Sequence, residues 1–286
     1  MSHKIGYLGP KGTFTKVAVD ALFNGEKKYS YTTIPECIDA VDQGHVTYAV
    51  VPLENAIEGS VNLTIDYIIQ KKRLKIIGEV DVPIRQHLMV HLDNQHNWKE
   101  IEKVYSHPHA IAQCHRFLHA ELKRASVEYA TSTGAASQYV SEHPELNIAS
   151  IGNHLAALEY GLTIVKKDIH DFDNNHTRFV ILHKGDTDHS PRKLKVKGYK
   201  TTLMITLPTD HPGALHQVLS AFAWRGINLS KIESRPMKTG LGNYFFIVDI
   251  EKKWDDILIP NSIAELEAIG CSIEILGSYP YYFYES

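Results

Sequence analysis

Polar side chains follow several β-like runs of this sequence, where they could meet a ligand. Glu54 and Asn55 end one such run, and Ser106 ends another, with Gln113 seven residues further along the expected helix. Polar residues at the carboxyl ends of strands in an open α/β sheet face the crevice in which ligands bind. Glu54 offers an acceptor and Asn55 a donor, while Ser106 is placed to cap its helix. Capping and turn formation explain the same residue types about equally well, so both interpretations stay open.

Two further candidates, Thr177 and Arg178, precede a strongly apolar run. Arg178 could bind a carboxylate with two hydrogen bonds and Thr177 offers a hydroxyl donor, although an ordinary loop before a strand would look the same. Residues 6–12 carry three glycines ahead of a helix that is expected to open near Thr13, and backbone N–H groups there favour a phosphate or carboxylate. Ser60 could cap another helix and provide a second anion site, with turn and capping chemistry as the alternative.

The composition is that of an ordinary globular protein and excludes several classes. The 286 residues are 43% hydrophobic and 22% charged, with a formal net charge of -3, which leaves no basic field to attract nucleic acid or an anionic membrane. No run approaches the ~18 apolar residues of a membrane span, and the N-terminus lacks the apolar core of a secretory signal. Three widely spaced cysteines indicate neither a disulfide framework nor a CxxC metal site. We therefore expect a cytoplasmic protein.

Neither a metal nor a dinucleotide cofactor is expected. His115 and His119 have the i,i+4 spacing of metal ligands, but 17 histidines in one chain produce such spacings by chance, and no acidic residue completes the set. The glycines of residues 6–12 fall at three-residue intervals without a Gly-x-Gly pair, so they differ from the dinucleotide fingerprint. Cys114 is interpreted as a core thiol on a helix.

The elements that would position these residues alternate between strands and helices over residues 1–184. Two such runs joined by extended segments indicate an α/β fold with mostly parallel sheets, in two lobes with a cleft between them. The expected strands are residues 4–8, 29–33, 48–51, 74–82, 87–92, 103–105, 127–129, 148–149, 163–165 and 178–182, and the expected helices of the second run are 108–121, 133–142 and 153–160.

A change of composition divides the chain. Residues 185–198 are polar, contain Gly and Pro and lack apolar periodicity, which predicts a linker between a first domain, 1–184, and a second, 199–286. The second domain has the βαββαβ order of the ferredoxin-like fold, which serves many functions and defines none. Its helices are expected from Asp210-His-Pro212 to Gly226 and over 262–269, between strands 201–207, 227–234, 244–250 and 272–276.

Four motifs occur in the order found in one enzyme family. They are Gly9-Pro-Lys-Gly-Thr-Phe14, Pro52-Leu-Glu-Asn-Ala-Ile-Glu-Gly-Ser-Val61, Ser106-His-Pro-His-Ala-Ile-Ala-Gln-Cys114 and Thr177-Arg-Phe179. By these motifs the chain resembles monofunctional prephenate dehydratases over nearly its whole length. In the second domain, Gly213-Ala-Leu215, Asn228-Leu229 and Glu233-Ser-Arg-Pro236 resemble the phenylalanine-binding motifs of ACT regulatory domains.

The resemblance implies a fold and a reaction. The family converts prephenate to phenylpyruvate, water and CO2 in phenylalanine biosynthesis, in a two-lobed, periplasmic-binding-protein-like catalytic domain that uses no cofactor. On the matching positions, Thr177 assists departure of the ring hydroxyl as a hydrogen-bond donor, since its hydroxyl is a weak acid, and Arg178 holds a substrate carboxylate. The other implied positions are catalytic Glu54, Asn55, Ser106 and Gln113 and substrate-binding Phe179, Thr13 and Ser60.

The ACT resemblance implies allosteric feedback by L-phenylalanine. Gly213 at the first turn of a helix would expose backbone N–H groups to the amino-acid carboxylate. A second subunit would close the site, so we expect a homodimer or homotetramer assembled through ACT domains. For Glu233–Pro236, a strand that ends at a proline is the alternative. The implied binding positions are Gly213, Ala214, Leu215, Asn228, Leu229, Glu233, Ser234 and Arg235.

Three positions depart from the family pattern. Thr15 replaces the more usual Ser, His109 stands where Gln is frequent, and Gly134 interrupts a Ser-Thr-Ala pattern near Ser132, which changes local substrate contacts. Two alternatives stay open: an arogenate dehydratase acting on the aminated substrate, and a catalytically silent amino-acid sensor. The missing Gly-x-Gly pair excludes a dinucleotide-dependent dehydrogenase, and because no mutase domain precedes residue 1 we expect a monofunctional enzyme.

Overall fold

The first lobe is a sheet with helices on both faces. A computed structural model describes residues 3–71, 74–185, 194–209, 211–236 and 244–285. The elements of this lobe are strands β1 (Lys4–Leu8), β2 (Lys27–Tyr31), β3 (Tyr48–Asn55), β4 (Gly59–Ser60), β5 (Leu74–Pro83) and β11 (His176–Lys184), with helices α1 (Phe14–Leu22), α2 (Ile34–Asp42) and α3 (Asn62–Gln70). β1 pairs in parallel with β2 and β3, whereas β11 lies antiparallel between β3 and β5.

The chain leaves this lobe after β5, builds a second lobe and returns through β11. The second lobe contains β6 (His87–Val90), β7 (Lys103–Ser106), β8 (Ser126–Tyr129), β9 (Ile148–Gly152), β10 (Thr163–Lys166), α4 (Pro108–Ala112), α5 (His115–Glu121), α6 (Thr133–Glu142) and α7 (His154–Tyr160), with two short 3-10 helices over 92–94 and 98–100. Its five strands run in the order β10-β6-β9-β7-β8. The two connections between the lobes confirm the expected two-lobed α/β architecture.

One predicted helix of the second lobe, 108–121, is broken into α4 and α5. The break is stabilised by Asp171, whose backbone N–H bonds to the carbonyl of Gln113 at 2.6 Å. The Asp171 carboxylate in turn accepts from the backbone N–H of Arg116, at 3.2 and 3.3 Å to its two oxygens. A single residue thus serves the end of one helix with its backbone and the start of the next with its side chain, which local sequence did not indicate.

The C-terminal domain has the predicted ferredoxin-like order, with shifted boundaries. Its helix α8 begins after Gly213, which has a φ of 91° as the N-terminal cap, and therefore later than the expected start at 210–212. Residues 186–193 of the predicted linker and Asp210 lie outside the described residues, and the rest of the linker partly belongs to the first strand. The elements are β12 (Val196–Thr206), α8 (Ala214–Ala223), β13 (Leu229–Pro236), β14 (Tyr244–Ile250), α9 (Leu258–Ala268) and β15 (Ser272–Phe283).

β15 joins the C-terminal domain to the first lobe in one ten-stranded sheet, because its last residues pair in parallel with β5. Gly277 permits this approach, since a Cβ there would lie 2.1 Å from the backbone oxygen of Ile76. Phe245 and Ile247 of the C-terminal domain are buried in the same core as α2 and α3. The C-terminal domain therefore rests directly on the first lobe. Among the described helices, none has the length and apolarity of a membrane span.

Candidate active site

Thr177 and Asn55 meet where β11 begins and β3 ends. The Asn55 Nδ2 donates to Thr177 Oγ1 at 2.8 Å, while the Asn55 Oδ1 accepts from the backbone N–H groups of Ile57 and Glu58, both at 3.0 Å. Because these two N–H donors fix the carbonyl end of the amide, its NH2 end faces Thr177. The Thr177 oxygen is thus an acceptor within the protein, and its own proton is left for a group in the crevice.

Asn175 completes this polar group and was not among the candidates from sequence. It is only 2% exposed, and its Oδ1 accepts from Asn55 Nδ2 at 3.0 Å. Its Nδ2 is buried and, within the described residues, has no hydrogen-bond partner. The signal that could have found it is its position two residues before Thr177, since residues at that spacing share one face of a strand.

Arg178 faces away from Thr177, as consecutive residues of a strand do. Its guanidinium donates to Glu54 and Glu79, both at 2.6 Å, and to Asp249 at 2.8 Å. Burial alone would lower the pKa of Arg178, but attraction by Glu79 and Asp249 outweighs it and raises that pKa, so the charge is permanent. This corrects the expectation that Arg178 holds a substrate carboxylate, because protein carboxylates already occupy both terminal nitrogens.

Glu54 and Ser60 belong to the same side of the sheet and contact the C-terminal domain. Lys231 of β13 bonds to Ser60 Oγ at 2.8 Å and lies 3.2 Å from the Glu54 carboxylate. Ser60 Oγ donates to Glu233 at 2.6 Å. The predicted capping role of Ser60 is wrong, because it lies in β4 and Val61, without a side-chain bond, caps α3. The two side chains connect the catalytic lobe to the regulatory fold.

Two substrate-binding candidates of the first lobe, Phe179 and Thr13, have structural roles. Phe179 is 2% exposed and lies in the core between the sheet and α1, which corrects its expected contact with substrate. Thr13 is the N-terminal cap of α1, as its position predicted. Its hydroxyl donates to the backbone oxygens of Pro10 at 3.0 Å and Leu8 at 3.3 Å, so it shapes the glycine-rich loop rather than offering a free donor.

The second-lobe candidates are also buried. Ser106 is fully buried and donates to the carbonyl of Ile151 at 2.7 Å, and His107, not Ser106, caps α4. Gln113 is 6% exposed at the end of α4, with its backbone held by Asp171. Neither side chain contacts Thr177 in this structure. They support the strand ends and helix that face the crevice from the second lobe.

Three contacts join the two lobes. The Asn153 Nδ2 donates to the backbone oxygen of Gly12 at 2.9 Å, and a Cβ on Gly134 would lie 2.4 Å from the backbone oxygen of Lys11. Gly134 thus permits a close approach of the glycine-rich loop to α6. On the other side, His109 Nε2 lies 3.8 Å from the Glu58 carboxylate. Both departures from the family pattern at 109 and 134 therefore fall on lobe contacts.

The regulatory candidates divide into two groups. Gly213 caps α8, Ala214 is buried and Leu215 is 38% exposed, while Asn228 bonds to the Glu251 carboxylate. The second group faces the catalytic lobe: Arg235 binds Asn62, Asp66 and Glu233. Burial opposes ionisation of Glu233, but hydrogen bonds from Ser60 and Arg235 outweigh it and lower the pKa of that carboxyl. Of the two other candidates in β13, Leu229 is half-buried and Ser234 exposed.

Sequence reasoning missed most of this contact between domains. Lys231, Glu233 and Arg235 share one face of β13 by their spacing of two, which a search for alternating charges would have found. Glu79 is one of three charged residues in strand β5, with Lys75 and Asp81, and it is fully buried. A charged residue in a buried strand requires a partner of opposite charge. That requirement could have indicated, from the sequence, that Glu79 has a basic partner.

The cysteines are buried, and the described histidines at metal-ligand spacing contact each other. Cys37, Cys114 and Cys271 are free and buried, and burial raises the pKa of Cys37 to about 12 and that of Cys114 further, as expected of core thiols. His115 and His119 stack on α5 with ring centroids 5.9 Å apart. In the described ranges, no three His, Cys, Asp or Glu side chains converge in a metal-binding group.

Comparison with known proteins gives matches over the whole chain. The sequence model of the prephenate dehydratase family matches residues 5–187, and that of the ACT domain matches residues 201–253. A prephenate dehydratase of Bacillus subtilis is 58% identical over 282 residues, covering 98% of this chain and 99% of its own length. A Lactococcus lactis prephenate dehydratase is 41% identical, with 98% of each chain covered.

Two solved structures agree with these matches. Prephenate dehydratase of Arthrobacter aurescens, in complex with L-Phe, superposes with a TM-score of 0.85 at 34% identity, covering 96% of this chain and 89% of that one. The Staphylococcus aureus enzyme superposes with a TM-score of 0.82 at 31% identity, covering 96% and 99%. The same arrangement of lobes and regulatory domain is therefore present in all three proteins.

Proposed function

The chain belongs to the prephenate dehydratase family and converts prephenate to phenylpyruvate, water and CO2, and we propose that this reaction takes place beside Thr177. The observation that carries the proposal is the bond from Asn55 to Thr177 Oγ1, which leaves the hydroxyl proton free. Asn55 is a positioning residue and Thr177 the donor. The Nδ2 of Asn175, buried beside them, supplies a further donor for a water or substrate oxygen.

The reaction requires a well-oriented hydrogen-bond donor more than it requires a strong acid. The bond from the ring to its carboxylate breaks and releases CO2, its electron pair enters the ring, and hydroxide leaves from the opposite ring carbon. A proton taken up from solvent converts that hydroxide to water, with Thr177 stabilising it by a hydrogen bond as it departs. Because the ring becomes aromatic, the reaction has its own driving force. The protein has to orient the dianion and stabilise the departing oxygen, for which a fixed hydroxyl donor is sufficient.

The other candidates have supporting roles in this proposal. Thr13, Ser106 and Gln113 hold the loops and helix ends that border the crevice, and Phe179 anchors β11 in the core. Glu54, Ser60 and Arg178 link the catalytic lobe to the C-terminal domain. The division into a catalytic domain, 1–184, a linker, 185–198, and a regulatory domain, 199–286, is part of the proposal, as is a cytoplasmic location.

Replacement of Thr177 tests the proposal. Thr177→Ala should lower phenylpyruvate formation about 10²–10³-fold, the usual cost of one transition-state donor, while Thr177→Ser keeps the hydroxyl and much of the activity. Circular dichroism would establish that both variants fold. Near-normal turnover in folded Thr177→Ala would refute the assignment. Turnover of arogenate but not prephenate by the unmodified chain would redirect it to the aminated substrate, and no turnover of either would leave the sensor.

We propose that L-phenylalanine binds the C-terminal domain and regulates the enzyme from there. The support is the match to the ACT domain and the L-Phe complex of the Arthrobacter relative. The residues at the start of α8 and β13, from Gly213 to Leu215 with Asn228 and Leu229, form the binding group together with Ser234. Glu233 and Arg235, which already contact the catalytic lobe, transmit the signal.

Assembly into a homodimer or homotetramer through this domain belongs to the same proposal. β13 lies at the edge of the ten-stranded sheet, and in the part of the chain that the structure describes it pairs on one side only. Ile232 on β13 and Tyr244 on the neighbouring strand are 43% and 42% exposed. An open strand edge with apolar side chains is suited to pairing with a second copy. Analytical ultracentrifugation with and without L-phenylalanine measures the subunit number.

A further inference from the structure

A cavity lies between the lobes, and Thr177, Asn55 and Asn175 are not among the residues that line it. Its volume is about 360 Å³, within the range of small-molecule sites. Phe14 of α1 forms part of the first-lobe wall, Leu155 and Ile164 part of the second-lobe wall, and Arg85 and Lys167 come from the two connections between the lobes. None of the residues to which a part in the reaction is assigned lines this cavity. We propose that it binds a small carboxylate that carries an aromatic ring.

The charge of the lining selects an anion. Two basic residues, Arg85 and Lys167, line the cavity, and among the described residues that line it Asp168 is the only acid. The Arg85 guanidinium lies 3.7 Å from Asp168, so the pair neutralises itself and the charge of Lys167 remains in excess. A ligand carboxylate would offset this charge and could also approach Arg85.

His87 and Asp168 provide a neutral donor beside these cations. The backbone N–H of Asp168 donates to His87 Nδ1 at 3.0 Å, which places the proton of the neutral ring on Nε2. Burial lowers the pKa of His87, so the neutral form is the one present near pH 7. Asp168 adopts a φ of 52°, in the left-handed region that non-glycine residues avoid, and this conformation aims its N–H at the ring.

The remaining wall is apolar and suits a flat ring. Phe14, Val17, Leu155 and Ile164 come from both lobes, and Tyr284 adds an aromatic face. A charged group on one side and an apolar wall on the other match an aromatic carboxylate better than an inorganic anion. Since the walls belong to two lobes, the ligand would also hold the lobes in the arrangement seen here.

Isothermal titration calorimetry of the full chain with 3-phenylpropionate tests the proposal. This probe has the ring and the carboxylate but lacks the ring hydroxyl and keto group of the substrate and the amino group of phenylalanine. 3-Phenylpropanamide is the uncharged control. Lys167→Gln should weaken binding of 3-phenylpropionate roughly 10- to 100-fold, the worth of a charge-assisted hydrogen bond. Lys166→Gln is the matched control, because the Lys166 ammonium lies 5.0 Å from the Trp98 ring instead of in the cavity.

Leu155→Trp is a second variant, in which the larger side chain fills the cavity. It should abolish binding of 3-phenylpropionate there and leave the turnover of prephenate unchanged. Equal binding of the amide, unchanged binding in Lys167→Gln or Leu155→Trp, or no binding to the unmodified chain would each overturn the proposal. Binding of 3-phenylpropionate beside Thr177 or in the C-terminal domain would be unaffected by both substitutions. These two variants therefore distinguish it from binding in the cavity. Since prephenate turnover is measured separately, failure here is distinct from failure of the proposed reaction site.

Discussion

At the scale of single residues, the orientation of the Asn55 side-chain amide determines where the hydroxyl proton of Thr177 points. Asn55 holds its carbonyl end on two backbone N–H groups and its NH2 end on Thr177. A hydroxyl has one proton and two lone pairs, so an oxygen that accepts from Asn55 directs its proton elsewhere. The arrangement makes a weak acid into an oriented donor, which matters more than acidity where the ring's aromaticity drives the reaction.

Replacement of the Asn55 amide by a carboxylate tests whether the direction of its hydrogen bond to Thr177 matters. In Asn55→Asp, an oxygen replaces the NH2 group and accepts the Thr177 proton, so the hydroxyl no longer donates to substrate. We expect turnover of Asn55→Asp to fall about 10²–10³-fold and to be no higher than that of Asn55→Ala, although Asp is the closer match in shape. Phenylpyruvate formation measures both variants. Asn174→Asp, at an exposed neighbouring position, is the control, and higher activity in Asn55→Asp than in Asn55→Ala would contradict the argument.

His107 makes the stability of the chain depend on pH. Burial lowers its pKa below the ordinary value of 6.5, and its Nδ1 caps α4 by accepting from a backbone N–H, which only the neutral ring can do. Below about pH 6.5 the unfolded chain takes up a proton that the folded chain refuses, so this contribution to stability is present above that pH and is lost as the pH falls. We expect His107→Asn, which keeps a cap acceptor without titrating, to lose less stability between pH 7 and pH 5.5 than the unmodified chain.

Urea unfolding midpoints at the two pH values measure the difference. His96→Asn removes an exposed histidine and should leave the pH dependence unchanged. An equal slope in the unmodified chain and in His107→Asn would show that His107 is not the titrating group.

The sequence indicated which residue types form the site, but it did not indicate the orientation of their side chains. Thr177 and Asn55 were identified as donor candidates, and the structure joins them. Arg178 was assigned to a substrate carboxylate because a guanidinium suits one. Its partners Glu79 and Asp249 are distant in sequence, and only the fold brings these carboxylates to the opposite face of the sheet.

At the scale of elements, β13 and α3 form one of the contacts between the regulatory domain and the catalytic lobe. Arg235 of β13 binds Asp66 of α3 at 2.5 Å, and Lys231 and Glu233 meet Ser60 just ahead of that helix. The other end of β4 pairs with Asn55, the residue that directs Thr177. A shift of β13 therefore has a short route to the Thr177 hydroxyl, the proposed donor.

Asp66→Asn tests this route from the catalytic side, without altering any residue of the regulatory domain. Loss of the charge weakens the hold on Arg235, and we expect the phenylalanine effect on turnover to fall severalfold while turnover without phenylalanine stays within about twofold. Asp42→Asn is the control, since Asp42 pairs with Lys71 inside the same lobe, at 3.4 Å. A full phenylalanine response in Asp66→Asn would show that the signal takes another path.

At the scale of the whole molecule, the two domains expected from sequence share one sheet. The βαββαβ order and the α/β alternation were both correct, because apolar periodicity reports them locally. The sequence predicted the last strand over 272–276, whereas β15 continues to Phe283 and pairs with β5. Its extension depends on Gly277 passing the backbone of Ile76, a contact between segments about 200 residues apart that periodicity does not reveal.

Gly277→Ala tests whether the regulatory domain and the first lobe are one cooperative unit. The added methyl group would lie 2.1 Å from the Ile76 oxygen, and since backbone must move to admit it, we expect an overpacking cost of about 1–3 kcal/mol, or roughly 2–5 °C in Tm. Gly198→Ala is the control in the same sheet, because its methyl group meets the Tyr281 side chain, which can rotate away. Hydrogen exchange should show amides of β5 and β15 losing protection together, with those of β7 and β9 unchanged. Loss confined to β15 would mean that the regulatory domain unfolds by itself, and a ligand bound there would then have to act through side-chain contacts such as those of β13 and of Asp249.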